Sequence, residues 1–257
     1  MTRAIHAEWT KLRTVPSTAW LLLAVVALTV GVSAMASGIV KCPASCSTDT
    51  TKLSLTGILL GQAAAAGLGV LVVSAEYSSG MIRVSLAATP RRTVLLAAKA
   101  AVVTAVVLAA GTIAVLGSVY ASQLLQPGNG FTAKNHITGL SLLHGPTLRA
   151  AAGSVLYLVL IGLFSMGIAA AVREPAAAAA LVLGVIYVIP VIADVSLSAI
   201  WQHRIERWTP MNAGMAIQAT KDLAKLPIAP WPGLGVLGLW SAAALAAGWL
   251  VLRLRDA

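Results

Sequence analysis

Few side chains in this sequence could support acid–base, nucleophilic or metal chemistry, and those few are scattered. Of the four histidines, only His136 and His144 share a segment. No Cys/His cluster has the spacing of a zinc site. The H-E-x-x-H and G-x-S-x-G motifs are absent from the sequence. The sequence therefore predicts no catalytic residue, no metal site and no enzymatic activity in this chain.

The sequence carries no complete phosphate-binding signature. The sequence contains no G-x-x-x-x-G-K-[ST] loop, so it predicts no ATP site in this chain. Gly233, Gly235 and Gly238 match G-x-G-x-x-G. No strand precedes them, and the chain is too short beyond them to supply a ribose-binding acid. We interpret these glycines as helix-packing residues and expect no bound cofactor.

Two ionisable residues lie within apolar runs. Asp194 is the acid deepest in such a run, four residues after Pro190, which is expected to kink the helix. An intramembrane acid indicates function by default, whereas an acid near a span end can simply lie at the interface. Both interpretations remain open at this stage. Lys99 lies one or two turns into a run, and its ammonium can extend towards the cytoplasm.

The composition indicates that these residues are carried by a membrane protein. The chain of 257 residues is 58% hydrophobic and 10% charged, and its mean hydropathy is +0.88. Soluble domains are about a quarter charged, so this chain needs lipid as its solvent. The net charge of +10 lies in short segments between apolar runs, which is typical of topology signals and lipid contacts rather than nucleic-acid binding.

Six runs are long and apolar enough to span a bilayer. We therefore predict an all-α, polytopic membrane protein in which residues 1–257 form a single transmembrane domain. A secretory signal peptide is the alternative interpretation of the first run, because Ala34, Met35 and Ala36 resemble a cleavage site. The predicted spans are residues 18–39, 55–75, 94–125, 150–172, 176–199 and 233–252.

Basic residues and cysteines predict the orientation. Ten of the 18 lysines and arginines fall on the side of the two termini, close to span ends, and eight fall on the opposite side. The positive-inside rule then places both termini in the cytoplasm of a cell membrane. Cys42 and Cys46 would face outside, where a disulfide can persist. Two free thiols are the alternative.

The leader, residues 1–17, is predicted to form a short amphipathic helix at the membrane interface. Ile5, Trp9 and Leu12 recur on one helical face, and Lys11 and Arg13 flank it. A disordered basic leader is the alternative.

A strip of small residues predicts close packing on the second span. Gly57, Gly61, Ala65 and Gly69 recur every four residues, which lets another helix approach closely. Packing within one subunit and packing between subunits both remain open.

The segment after the second span is too polar to cross the bilayer and too apolar for a simple loop. Gly80 and Pro90 bracket a piece that could be helical, and Glu76 could pair with a nearby arginine. A solvated positive-inside loop is the alternative interpretation. The candidate residues are Glu76, Tyr77, Gly80, Arg83, Pro90, Arg91 and Arg92.

A second long segment, residues 201–232, precedes the last span. It mixes charged residues and prolines with Trp201, Trp208 and Trp231. Because tryptophan prefers the headgroup zone, we expect this outer segment to be partly helical and to lie on or dip into the membrane.

Two of these segments together resemble the ABC-2-type permease subunit of actinobacterial type, the transmembrane half of an ABC exporter. Met81 and Ser85 differ from the threonine common in that family, and Val15-Pro16 alters the entry to the first span. The matching residues are Glu8-Trp9-Thr10-Lys11-Leu12-Arg13 with Ser17-Thr18, and Glu76-Tyr77 with Gly80, Ile82-Arg83, Leu86 and Pro90-Arg91-Arg92.

The resemblance implies an assembly and a direction of transport. Two permease subunits, identical or different, would pair above two separate ATPase subunits that bind ATP and magnesium. The leader would be an interfacial connecting helix, and the segment after the second span would contact the ATPase. The segment 201–232 takes the place of a short outer re-entrant element. The cargo would be lipophilic or amphipathic.

Two other functions would require features that this sequence largely lacks. A secondary, ion-coupled transporter would need ionisable residues or broken helices near the midplane, and Asp194 is the only acid clearly inside a run. An intramembrane enzyme would need His, Asp or Ser residues converging at one depth, and the sequence shows no such set.

Overall fold

A computed structural model describes residues 2–42, 48–81, 91–132, 140–141, 144–196 and 205–254, without the side chains of Arg3, Ala193, Asp194 and Ser196. Every regular element in these ranges is helical. The α-helices are α1 (Thr2–Thr14), α2 (Pro16–Ile39), α3 (Thr50–Ser54), α4 (Ile58–Ser78), α5 (Arg92–Leu125), α6 (Gly145–Val172), α7 (Pro175–Leu183), α8 (Ile189–Ser196), α9 (Pro210–Met215) and α10 (Pro230–Leu254).

Six stretches of helix in the described part of the chain are long and apolar enough to cross a membrane. Five of these stretches are the helices α2, α4, α5, α6 and α10. The remaining stretch, Pro175–Ile192, comes before α10 in the chain and runs from α7 into α8. The predicted all-helical class and the six spans are therefore confirmed, and the chain is a multi-pass membrane protein.

Several helix boundaries differ by a few residues from the approximate span boundaries predicted from the sequence. Residues 55–57 form turns after α3, so the second span begins at Ile58. The fourth span begins at Gly145 rather than at residue 150, because a proline in the first helical turn needs no backbone N–H partner there. The last span begins at Pro230 for the same reason, so Trp231 lies in the helix and not in the preceding connection.

The fifth span is interrupted before Pro190. Residues 184–188 form a π-helical turn, in which the Ile189 N–H donates to the Gly184 carbonyl. Proline lacks an N–H, and its ring displaces the carbonyl four residues earlier. A wider turn accommodates that displacement. The backbone of Asp194 lies in α8, and its side chain is outside the described set, so both interpretations of this acid stand.

The small-residue strip of α4 packs against α2 and α6 of the same chain. A Cβ added at Gly61 would overlap the Thr29 hydroxyl of α2, and one at Gly69 would overlap the Gly162 carbonyl of α6. Ala65 is fully buried between them. These glycines let helix backbones approach closely, which supplies the dispersion contacts that hold helices together in lipid.

The end of the bundle where α2 stops and α6 starts is tied together by Asp49. Its carboxylate caps α3 by accepting from the N–H groups of Thr51 and Lys52. It also accepts from the Thr220 hydroxyl at 2.7 Å and from the Lys221 N–H at 3.0 Å. We call this end of the bundle the Asp49 end and the opposite end the Glu76 end.

The segment before α10 is packed into the bundle at the Asp49 end. Ile217 is fully buried and lies where a Cβ on Gly153 of α6 would be. The Arg149 guanidinium donates to the Ala219 carbonyl at 2.6 Å. The predicted partly helical character is present in α9 and two 3₁₀ turns, Ala216–Gln218 and Leu223–Lys225.

Replacing Gly61 with Leu should weaken the packing of α4 on α2. The new side chain would meet the Thr29 hydroxyl, and overpacking of this kind costs roughly 1–3 kcal/mol. We expect a lower unfolding temperature in detergent. Gly31→Leu is the matched control, because nothing lies within 4 Å of a Cβ at Gly31. Equal stability of both variants would show that α4 is not closely packed at Gly61.

Replacing Asp49 with Asn should loosen the Asp49 end at neutral pH. Asn keeps one oxygen for the α3 cap but turns an amide NH₂ towards the N–H groups of Thr220 and Lys221. Hydrogen bonds to a charged group contribute about 1.5–3 kcal/mol, and we expect a loss of that order at pH 7.

The same variant should reveal a pH dependence. Burial raises the pKa of Asp49, but hydrogen bonds from Thr220, Lys52 and Lys221 outweigh it, so the pKa lies below its ordinary value. The stabilisation is therefore present above about pH 4 and lost as the pH falls through the native pKa. The difference between wild type and Asp49→Asn should shrink on acidification. The exposed Asp222 provides the control, and an equal response in Asp222→Asn would contradict this assignment.

Candidate functional site

Four charged side chains from α1, α4 and α5 meet at the Glu76 end of the bundle. The Lys99 ammonium lies 2.7 Å from a Glu8 oxygen and 2.8 Å from a Glu76 oxygen. The Lys11 ammonium lies 2.7 Å from the same Glu76 oxygen and 3.2 Å from the other Glu8 oxygen. We call Glu8, Lys11, Glu76 and Lys99 the charge quartet.

Three members of the quartet are buried. Lys99 is only 3% exposed, and the side chains of Glu8 and Glu76 are nearly as inaccessible. The Lys99 ammonium also donates to the Val72 carbonyl at 3.3 Å, which gives each of its three protons a partner. The sequence allowed Lys99 to extend towards the cytoplasm, and the structure shows its ammonium buried and ion-paired. The carboxylates of Glu8 and Glu76 neutralise the Lys99 ammonium inside the bundle. Without them the buried charge would be unpaired, which is very costly.

The geometry of α1 explains how one short helix supplies two members. Glu8 and Lys11 are three residues apart, so they lie on the same face of α1 and pair with each other. Burial alone would lower the pKa of Lys11, but the Glu76 and Glu8 carboxylates outweigh it and raise that pKa above its ordinary value. Lys11 therefore keeps its positive charge at physiological pH.

Glu76 lies in the last turn of α4, close to where the helix ends. The chain leaves the helix through Gly80, whose φ of 69° is in the left-handed region, the conformation that glycine adopts at helix C-termini without strain. The sequence suggested an arginine partner for Glu76, and the structure pairs it with two lysines. Arg83 and Pro90, with the rest of residues 82–90, fall outside the described residues, so their predicted role is untested.

Two arginines tie the C-terminus of α10 to its neighbours. The Arg173 guanidinium donates to the Val251 carbonyl at 3.0 Å, and Arg92 donates to the Leu252 carbonyl. Carbonyls in the last turn of a helix have no partner within the helix and attract cations. Arg173 also lies over the Tyr77 ring, 5.4 Å from its centre. The ends of α4, α5, α6 and α10 are thereby connected.

The remaining predicted residues lie apart from the quartet. Trp9 and Arg13 are exposed on α1, Leu12 is half-buried, and Arg91 is exposed at the start of α5. Cys42 is disulfide-bonded, buried and packed against Phe131 at the Asp49 end. Cys46 is outside the described residues.

The quartet is suited to holding helices together rather than to catalysis. Each carboxylate is shared by two ammonium groups, so the charges cancel. No group of three or more His, Cys, Asp or Glu residues that could hold a metal occurs within the described ranges. Sequence reasoning had not linked Glu8 to Lys99. The one available signal was that an apolar run containing Lys99 requires an acid nearby.

The fold and the quartet define an all-helical, multi-pass membrane protein with a neutral ionic joint at one end of its spans. Comparison of the chain with protein-family models and with curated proteins gave no match.

Removing Lys99 should destabilise the protein more than removing Lys99 and Glu8 together. Lys99→Met leaves two buried carboxylates with one ammonium, and breaking a buried pair costs roughly 3–5 kcal/mol. Glu8→Gln/Lys99→Met restores neutrality and should recover part of that loss. The free energy of unfolding, measured by SDS titration, tests this.

An exposed ion pair supplies the control for this comparison. Lys225 pairs with Asp222 at the surface at 3.0 Å, so Lys225→Met should change stability by less than about 1 kcal/mol. A double variant as unstable as the sum of Glu8→Gln and Lys99→Met would show that the quartet does not act as a unit.

Proposed function

We propose that this chain is the transmembrane permease subunit of an ABC exporter of the ABC-2 type. One observation carries the proposal. Glu8 and Lys11 belong to one of the segments that resemble this family, Glu76 belongs to the other, and all three meet in the charge quartet. Six apolar spans and the absence of a phosphate loop from the sequence agree with it.

In this proposal the Glu76 end faces the cytoplasm and α1 lies in the membrane interface. The segment after the second span, from Glu76 to Arg92, contacts a separate ATPase subunit. Two ATPase subunits bind ATP and magnesium and serve a pair of permease subunits in the cell membrane. Residues 201–232 take the place of the outer re-entrant element.

The contacts at the Glu76 end suit the transmission of movement. The quartet couples α1 to the end of α4 and the start of α5. Arg92 couples α5 to α10, and Arg173 couples α6 to α10. A displacement of the segment between α4 and α5 would therefore move several spans together and shift the bundle between inward-open and outward-open states. The cargo, on the evidence of the apolar interior, is lipophilic or amphipathic.

Purification of the tagged full-length chain from its own host's membranes tests the class. We expect a co-purifying protein with a phosphate-binding loop, in equal amount, and vanadate-sensitive ATP hydrolysis by the complex. A chain that remains free of any ATP-hydrolysing partner under several mild solubilisation conditions would contradict the proposal. Transport driven by an imposed ion gradient would instead favour a secondary transporter.

Conservative substitutions test the coupling role. Arg83→Lys and Arg91→Lys keep the charge but lose the bidentate guanidinium, and Glu76→Gln removes a carboxylate from the quartet. Losing one charged hydrogen bond costs about 1.5–3 kcal/mol, so we expect ATP hydrolysis by the reconstituted complex to fall roughly tenfold. Lys225→Met at the opposite end should leave it unchanged. Wild-type hydrolysis in all three variants would show that these side chains do not transmit the movement.

A further inference from the structure

A cleft of about 380 Å³ lies between the corner of α1 and α2 and the last turns of α4. Its volume is in the roughly 300–1,000 Å³ range of ligand sites. Most of its wall is apolar, although the quartet forms one end. Its apolar lining includes Leu12, Leu21, Leu68, Leu71 and Val72.

The polarity of the cleft changes along the direction of the spans. The quartet and the hydroxyl groups of Ser17 and Ser79 lie at the Glu76 end, where α2 starts and α4 stops. Leu68 lies eight residues before Glu76 on α4, which places it roughly 12 Å deeper at the rise of an α-helix. One end of the cleft therefore suits a polar group and the other suits a hydrocarbon chain.

The mouth of the cleft opens at membrane depth. Leu71 is 37% exposed and Ala75 is exposed, although both line the cleft and lie within the span Ile58–Ser78. Water at this depth would find no polar partners among the leucines. An empty cleft would forfeit the dispersion contacts of its walls. A hydrocarbon chain is the filler that the bilayer itself supplies.

At the polar end, the accessible positive charge among the described lining residues is that of Lys11. The Lys11 side chain is 36% exposed, whereas Glu8, Glu76 and Lys99 are buried beneath it. Because its two positive and two negative charges balance, the quartet exerts little long-range attraction on a charged ligand. It does present an ammonium group to which a phosphate oxygen can bind directly.

From this geometry we infer that the cleft is a binding site for a membrane glycerophospholipid, with one acyl chain along Leu68 and Leu71 and the headgroup phosphate at Lys11. The lipid would fill the gap between α1 and α4 and hold α1 against the bundle. The cleft is formed by described residues, and a lipid could occupy it whether or not the chain has the proposed transport function.

Photocrosslinking tests the acyl-chain position. Purified full-length protein is placed in nanodiscs of phosphatidylethanolamine and phosphatidylglycerol, with a trace of phosphatidylethanolamine that carries a diazirine near the end of one acyl chain. We expect adducts concentrated on the cleft-lining parts of α2 and α4, near Leu21, Leu68 and Leu71. Adducts spread evenly over lipid-exposed residues of all spans would overturn the inference.

Filling the cleft should abolish that concentration. Leu71→Trp places a bulky ring inside the mouth, and Ala75→Phe blocks it one turn further along α4. Leu60→Trp is the matched control, since Leu60 lies on the same helix, is 44% exposed and is outside the cleft. Each variant is first checked for an unchanged unfolding temperature. We expect at least a fivefold loss of cleft adducts in Leu71→Trp, in Ala75→Phe or in both, and no loss of adducts in Leu60→Trp. If every correctly folded cleft variant retains wild-type labelling, no lipid chain occupies the cleft.

A second comparison tests the headgroup. Diazirine-labelled phosphatidylethanolamine and phosphatidylglycerol share a phosphate and should label the cleft equally, whereas labelled diacylglycerol should label it several-fold less. Lys11→Gln should remove that difference. Equal labelling by all three lipids in the wild type would overturn the assignment of the phosphate to Lys11.

Discussion

A lysine ammonium held inside the bundle determines how one end of this molecule is built. Lys99 lies on a membrane-spanning helix and is excluded from water. A charge in that position requires carboxylates at contact distance. One of them comes from α4, where Glu76 lies in the last turn. The other comes from α1, so the leader must fold back against the spans to deliver Glu8.

Close backbone contact supplies the second constraint. In lipid the hydrophobic effect does not drive one apolar helix onto another, so shape complementarity and internal polar contacts hold the spans together. Gly61 and Gly69 on α4 allow α2 and α6 to approach on two sides. At the Asp49 end, a single carboxylate joins two segments that are distant in the sequence. The bundle is thus fastened at both ends and closely packed between them.

The sequence was sufficient for the spans but not for the contacts between them. Hydropathy identifies the six spans because the bilayer tolerates few charges, and their boundaries shifted where prolines at 146 and 230 could enter a first helical turn. The quartet was not predicted. Glu8 and Lys99 are 91 residues apart along the chain, and nothing in helical periodicity specifies which helices become neighbours. The sequence allowed Lys99 to reach water, whereas in the structure carboxylates from α1 and α4 pair with it inside the bundle.

The position of the quartet bears on the transport function proposed above. A proton-coupled carrier needs an ionisable group near the midplane whose charge changes during the cycle. Glu8 and Glu76 instead lie at one end of the spans, and each is held by two lysines. The two carboxylates and the two ammonium groups are matched in number and lie within contact distance of one another. In the proposed function the energy source lies on another chain, and the sequence itself contains no phosphate-binding loop.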